Sequence, residues 1–486
     1  MQVKAYGETA ASTVTNTYEY DKDRLTKIGH NGFHYQFFQD AFGNTSRVSI
    51  AGNEVISHTY EDHNGKPLKV VYGNGAQLRY EYDKEERVEA VYYQESSTAS
   101  EQLYQNLVYG KDGSLDQVTD HLSGKTYDLD YDFLDRLMRV RDESGNYYEY
   151  TYDSENLMVH LVHGTADGRN VSVYSYDKDG REITTRMGTR IRTTEYDSLG
   201  RVKSQSWGLT SDPDAPAMGT SYTYPVVNTT HEGNRPSGMT TPLGTYAYTY
   251  DANGNITEIV FTEAQNADVK RERYQYDELN QLIREDSESQ GKTFVYHYDT
   301  GGNLTSVKEY AYTTGTPSQL LGTSTGTYQM QSMNASCEAD CVHEEVAIAD
   351  SERPIYSSGE VWKDQMVSWT DGATGETCAM TYDAIGNMRT KGSRTFEWKL
   401  GRKLAKVTEG ALECSYDYDH TGNRVKKTVT EGDTTVSTVY RMAGDLLLSE
   451  KTGAETIWYE YDSGANLISM KLNAKRAIPH FKCVEH

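Results

Sequence analysis

The chain has 486 residues, with 48 basic against 72 acidic side chains, 41 glycines, 9 prolines, 5 cysteines and 40 tyrosines against 9 phenylalanines. A net charge of −24 with no block of Lys and Arg argues against nucleic acid and anionic membrane surfaces as partners, because both need a cationic face. No apolar run reaches the roughly 18 residues of a membrane span, and the start, MQVKAYGETAAST, lacks the basic and apolar zones of a secretory signal.

In chain order, one phrase recurs. It opens with Tyr20 and Asp21 in YEYDKDRLTKI, then Tyr82 and Asp83, Tyr131 and Asp132, Tyr152 and Asp153, Tyr176 and Asp177, and Tyr196 and Asp197. It continues with Tyr250 and Asp251 in YTYDANGNITEI, Tyr276 and Asp277, Tyr298 and Asp299, Tyr382 and Asp383, Tyr418 and Asp419, and Tyr461 and Asp462. Weaker copies surround Asp40, Asp62, Asp112 and Trp398, which makes twelve clear and four weak copies. The spacing, near twenty residues, is that of a repeat array. The register lapses at about 205–240 and again from about 311 to 375, where Pro, Gly, Ser and Asp collect as in loops. The organisation expected is an array over 1–312 with a loop insertion at about 205–240, an irregular inserted region over 313–375, a resumed array over 376–470, and a tail over 471–486. The repeat is entered within the first twenty residues, as in a segment cut from something longer.

Each copy predicts a β-hairpin. Tyr246, Tyr248 and Tyr250 alternate, so in a strand their rings share one face. Asp251 offers a carboxylate to backbone N–H groups just ahead, Gly254 supplies the positive φ of a tight turn, and Asn255 tolerates similar geometry. Residues 256–261 are rich in β-branched and aromatic side chains and suit a return strand. A mean hydropathy of −0.75 would place such a chain near disorder, but each tyrosine carries a large apolar ring that hydropathy scales score as polar. Burying one contributes about 1.5–3 kcal/mol, and aromatic contact about 0.5–1.5 more, so stacked hairpins hold where one alone is marginal.

The pattern Y-x-Y-D-x-x-G-[R/N]-apolar over residues 18–470 resembles the YD repeat of the RHS family. That family includes bacterial polymorphic toxins, wall-associated proteins of Gram-positive bacteria, the C component of insecticidal Tc toxins, and animal teneurins. The resemblance implies an all-β fold in which tandem hairpins join into a curved strip, a partial hollow β-shell or cocoon. It also implies a secreted or cell-surface setting, and a toxin polypeptide or neighbouring shell segment as partner. The closing block R-Y-Y-D-P and the D-P-x-G segment of family toxins are absent, so neither self-cleavage nor a toxin is carried over to any residue. Sixteen hairpins give about 32 strands and a strip of about 150 Å, little more than one turn around a cavity about 40 Å across. Open end strands then need a neighbour, a cap or an oligomer.

Other chemistry is thin. Gly322 to Gly326 match G-x-S-x-G, but the flanking segment is polar and lacks the strand–turn–helix of a nucleophile elbow. Cys337, Cys341 and His343, with Asp340 or Glu344, could meet a zinc ion, against an acidic loop with free thiols as the plainer reading. The other cysteines, Cys378, Cys414 and Cys483, also lie in the last third, which excludes a disulfide framework for most of the chain. His30 and His34 flank an Asn-Gly turn, and Asp251, Asn253 and Asn255 lack the glutamate that completes a calcium loop. The Gly-Lys-Thr steps at Gly124 and Gly291 lack the upstream glycine of a phosphate loop. Trp398 and Trp458 occupy strand positions, whereas Trp362 and Trp369 fall in the 313–375 insertion, where a glycan could stack. The expected role is a non-enzymatic shell segment, without cofactor, metal or catalytic residue, that encapsulates or displays a toxin polypeptide in secretion or contact-dependent competition. The alternative is a cell-surface adhesion module that binds glycan or protein through its inserted loops.

Overall fold

The computed structural model describes residues 2–4, 13–166, 168–212, 218–228, 231–328 and 362–473. The described residues hold 42 strands and no α-helix. Thirty-eight of the strands form one antiparallel strip in chain order, from Thr17–Asp21 to Leu467–Asn473. Two short hairpins stand outside it, Gln2–Lys4 with Thr13–Thr15 and Val226–Asn228 with His231–Glu232. No pairing among the described residues joins the first strand of the strip to the last, so the sheet is open.

The hairpin of Gly244–Tyr250 with Ile256–Glu263 shows how the repeat makes its element. Tyr246, Tyr248 and Tyr250 are half-buried while Thr245, Ala247 and Thr249 face solvent, the alternation a pleated strand imposes. The rings of Tyr246 and Tyr248 stack 6.4 Å apart. Pairing runs to Thr249↔Glu258 and then jumps to Tyr250↔Ile256, leaving Thr257 as a bulge beside the turn. The same jump precedes the motif tyrosine in most copies, for example between Asp130 and Tyr131 and between Asp417 and Tyr418. Hairpin turns therefore fall on two edges: a motif edge with the aspartate turns, and a return edge with turns such as Gly52, Gly145 and Gly188.

The stretches expected to be loops contribute strands. Val202–Leu209, Met218–Thr223 and Gly238–Thr241 carry the strip through 205–240. Leu320–Tyr328 and Met366–Thr370 pair with each other and with their neighbours inside 313–375. Both lack the aspartate phrase but keep alternating Thr, Ser and Tyr, and backbone pairing with a formed neighbour suffices. Ser324 of the G-x-S-x-G string lies within such a strand and accepts a hydrogen bond from the Gly372 N–H (2.9 Å), so no elbow exists there. The strip is longer by six strands than the hairpin count implied.

The strip coils on itself. The motif turn at Asp383 lies on the return turn at Asn74, and Leu400 on Tyr93, His420 on Gln105 and Arg441 on Asp142 follow in order. These contacts join strands 23 to 25 apart along the strip, which sets the circumference at about 110–120 Å and the bore at about 35–38 Å between backbones. Apolar packing is distributed. Phe33, Ile50, Ala51 and Val55 of the first coil enclose Ile385 of the second, and Leu161 and Tyr174 meet Ala443 and Leu448.

Candidate functional site

Two arrangements repeat along the wall. The first is a clamp from each hairpin to the one before it. The hydroxyl of a motif tyrosine donates to a carbonyl at or near the start of the preceding repeat's return strand, beside the bulge in most copies. Tyr82 bonds Pro67 (2.6 Å), Tyr152 Leu137 (3.3 Å), Tyr176 Met158, and Tyr196 Glu182 (2.9 Å). Tyr250 bonds Pro236 (2.8 Å), Tyr298 Leu282 (2.8 Å), Tyr382 Met366 (2.7 Å), Tyr418 Leu404 (2.8 Å) and Tyr461 Leu447 (2.9 Å). Tyr60, Tyr109, Tyr224 and Tyr328 do the same in weak or unrecognised copies, and Trp398 substitutes its indole N–H, 2.7 Å from the Met388 oxygen. A phenylalanine would fill the space and leave a bulge carbonyl without this donor, which accounts for the excess of Tyr over Phe. Tyr131 and Tyr276 hold the same strand position half-buried, and Tyr20 on the first strand is 61% exposed.

The second arrangement is the aspartate turn. The Asp251 N–H donates to the Asn255 carbonyl, the Gly254 N–H donates to the Asp251 carbonyl, and the Asp251 carboxylate accepts from the backbone and side chain of Asn255. Asp83, Asp132, Asp153, Asp177, Asp197, Asp277, Asp299, Asp383, Asp419 and Asp462 each accept the N–H four residues ahead in the same way. Gly254 has φ +89°, and Asn156, Asn280 and Ala465 adopt the left-handed region at the equivalent place. Asp21 departs from this: it pairs with Arg24 across a two-residue turn led by Lys22 at φ +55°.

An arginine contact between neighbouring repeats links the two arrangements. Where the fifth turn residue is arginine, its guanidinium grips the motif aspartate, Arg87 on Asp83, Arg136 on Asp132, Arg181 on Asp177 and Arg201 on Asp197. The same group lies over the next repeat's tyrosine, 4.3 Å above Tyr109, 4.6 Å above Tyr152, 5.0 Å above Tyr196 and 4.2 Å above Tyr224. Hydrogen bonds from Arg136 and Arg181 hold the Asp132 and Asp177 carboxyls below their usual value. The only sequence signal was Arg four residues past the aspartate with Tyr one repeat later.

The seam between coils is built from side chains, since turns meet turns there and no ladder forms. Asp364 accepts from Asn31 (3.2 Å), Tyr35 (3.3 Å) and Asn303 (3.1 Å), with His30 Nε2 at 3.5 Å. Asn74 donates to Asp383 and to the Gly401 carbonyl, and the Leu400 N–H donates to the Tyr93 hydroxyl. Tyr127 packs on His420 (4.5 Å), His163 on Trp458 (4.9 Å), and buried Arg192 pairs with Glu182 (3.0 Å) and Asp462 (3.3 Å). Burial pushes Tyr35 and Tyr93 up to about 12, the former aided by Asp364, and lowers His163 to about 4. A cavity of about 50 Å³ lies in the seam, lined by Asp142, Tyr148, His163, Asp419 and Arg441 among others.

The other candidates do not converge. Among the described residues no three His, Cys, Asp or Glu side chains are placed to hold a metal, and Cys337, Cys341, His343 and Cys483 lie outside them. Cys378 and Cys414 form no disulfide among the described residues, His30 bonds Asn16 and Asp364 across the turn from His34, and Gly124 and Gly291 are return-turn glycines at φ +69° and +66°. Trp362 packs against the Phe33 cluster and Trp369 lies in a paired strand, so neither stands on a projecting loop.

A single antiparallel strip of motif hairpins, coiled until its edges meet, defines a β-shell wall. A family profile described as the Teneurin YD-shell matches residues 112–267. The chain is 25% identical over 348 residues to the tRNA3(Ser)-specific nuclease WapA of Bacillus spizizenii, covering 69% of this chain and 12% of that protein. Its fold is similar to the crystal structure of TcdB2-TccC3-TEV (TM-score 0.59, 15% identity, 99% of this chain and 25% of that one). The Photorhabdus luminescens Tc holotoxin pore is also similar (TM-score 0.57, 15% identity, 98% of this chain and 25% of that one). The chain thus spans a quarter or less of these relatives. These matches support the RHS/YD-repeat resemblance, with the family profile itself covering residues 112–267.

Proposed function

We propose that the chain is a non-enzymatic segment of shell wall that encloses a polypeptide, in the toxin-delivery setting that the family resemblance implies. The observation that carries this reading is the seam. Contacts between residues about 270–330 apart turn a flat strip into a curved wall around a bore about 35–38 Å wide. A wall of paired strands leaves few unsatisfied backbone groups toward its interior, so it shields an unfolded chain without folding it. Similarity to Tc structures supports an enclosed partner, and the placement of Trp362 and Trp369 gives the glycan reading no exposed platform.

The test is protection of a passenger. An unstructured peptide fused after His486 is expected to resist trypsin in the native chain and to be cleaved once Ile385→Asp parts the seam. Cleavage of the passenger at the rate of the free peptide in the unmodified shell would overturn the enclosing role.

A further inference from the structure

Two cavities adjoin in the seam, and Asn146 and Arg441 line both. The inner one, of about 50 Å³, is lined by His163. That residue is 5% exposed, and its two ring nitrogens have no hydrogen-bond partner among the described residues. Buried polar atoms are nearly always satisfied, so an imidazole bare at both nitrogens points to a bound molecule. Arg441 is also uncommitted: its ion pair to Asp142 is 3.8 Å long, too far for a hydrogen bond. Burial first, and then the Arg441 charge, hold the Lys125 ammonium and the His163 imidazole below their usual values, which marks a positive potential at this place. The outer cavity, of about 270 Å³, opens between return turns of the first coil and one face of the second. Pairing sets two side-chain rows on that face. Arg441, Ser449 and Trp458 stand opposite one another across Thr434–Ala443, Leu446–Thr452 and Glu455–Tyr461, and Val439, Lys451 and Thr456 form the next row. Trp458 packs on His163 and so ties the rows to the first coil. Ser449 and Thr456, 3% and 7% exposed, make the buried floor, while Ser144 and Thr165 face them from the first coil. Among the described residues no carboxylate lines this cavity, although the chain carries a net charge of −24. In the inner one Asp142 and Asp419 offset Lys125 and Arg441.

We propose that the outer cavity is a binding site for a small phosphate-bearing molecule, the free ion or a monoester, and that its occupant bridges the two coils. A tetrahedral oxyanion accepts from several donors at once, and this lining offers guanidinium, ammonium and hydroxyl donors from both sides of the seam. A cation would find no carboxylate among the described lining residues. A phosphate group fills part of the volume and leaves room beside it for a small organic remainder, and the inner cavity has room for a few waters that reach His163. Occupancy links Ser144 and Thr165 of the first coil to Arg441 and Lys451 of the second, so the ligand stabilises the coiled state. The inference rests on the seam and not on an enclosed polypeptide.

Calorimetric titration of the full chain tests it, with inorganic phosphate and ribose 5-phosphate as probes. Ionic strength is held constant with sodium chloride, because any salt screens a charge of −24. One saturable site per chain is expected for at least one probe, and the tighter of the two decides between free ion and monoester. Arg441→Gln and Lys451→Gln are each expected to raise the Kd by about tenfold or more, whereas Lys178→Gln, exposed on the first coil's motif edge, leaves it unchanged. Ser449→Ala with Thr456→Val removes two hydroxyls and no charge; it is expected to weaken binding too, and it keeps the test open where a charge variant fails to fold. The bound probe is also expected to raise the urea midpoint of the native chain and not that of Arg441→Gln. No saturable site for either probe, or a Kd unchanged in the Arg441 and Lys451 variants, would overturn the site. Binding that leaves the native urea midpoint unmoved would overturn the bridge between coils.

Discussion

The phenol of the motif tyrosine does two jobs: its ring fills a half-buried strand face and its hydroxyl satisfies a backbone carbonyl one repeat back. The two separate by substitution. Tyr250→Phe keeps the ring and loses the 2.8 Å bond to Pro236, at an expected cost of about 0.5–1.5 kcal/mol. Tyr250→Ala loses both, at about 2–4 kcal/mol. Urea titration followed by tyrosine fluorescence measures each, and equal costs would mean the hydroxyl contributes nothing. Titration gives a second residue-scale expectation. Burial raises Tyr35, Tyr93, Tyr150 and Tyr459 to about 12 from 10.0, so their contribution is full below pH 10 and is lost as pH rises toward 12. His163 is lowered from 6.5 to about 4, so its contribution is full above 6.5 and is lost as pH falls toward 4. Below 3.8 the lowered Asp132 and Asp177 carboxyls add to the acid loss. Urea midpoints are therefore expected to form a plateau from about pH 6.5 to 10 with both limbs falling; a midpoint that climbs above pH 10 would contradict the buried phenols. The tyrosine alternation and the aspartate turn were legible in the sequence because both are local. The Arg136 to Tyr152 stack was not, because it depends on the register of two neighbouring hairpins.

At the scale of the element, the hairpin is defined by its turn more than by its strands. A Cβ at Gly254 would meet the Arg235 guanidinium, a flexible tip that can move aside, so the remaining cost is the left-handed backbone at φ +89°. Ala465 carries that cost in the last turn at φ +66°. Gly254→Ala is thus expected to cost about 1–2 kcal/mol without changing the fold, measurable by thermal melting; loss of cooperative folding would mean the turn has no room to adapt. The segments without an aspartate phrase read as loops in the sequence for the same reason. Leu320–Tyr328 and Met366–Thr370 have strand composition but no turn signature, and only a paired neighbour reveals them.

At the scale of the whole molecule the seam decides the shape, and it was not legible. Its partners lie hundreds of residues apart, and they are ordinary Asn, Asp, His and Tyr side chains whose pairing follows from curvature. A strip with its sheet pairs alone would be as well hydrogen-bonded uncoiled. Ile385 in its apolar pocket, with Asp364 and Arg192 in their polar networks, favours the coil. Ile385→Ala is expected to cost about 2–4 kcal/mol, the range for emptying a filled core site. Chemical denaturation would read it, and a loss below about 0.5 kcal/mol would mean the pocket is not closed.

The most direct measurement is the distance across the seam. Spin labels carried by unnatural amino acids at Asn53 and Ala384, exposed neighbours of the Val55 and Ile385 contact, report it by pulsed electron resonance. A coiled wall gives a mean distance below about 30 Å, whereas the 24 to 25 strands of uncoiled strip between them would separate the labels by about 120 Å. A short distance that lengthens in Ile385→Asp is the expected result; a long distance in the native chain would contradict the coil and the enclosure built on it.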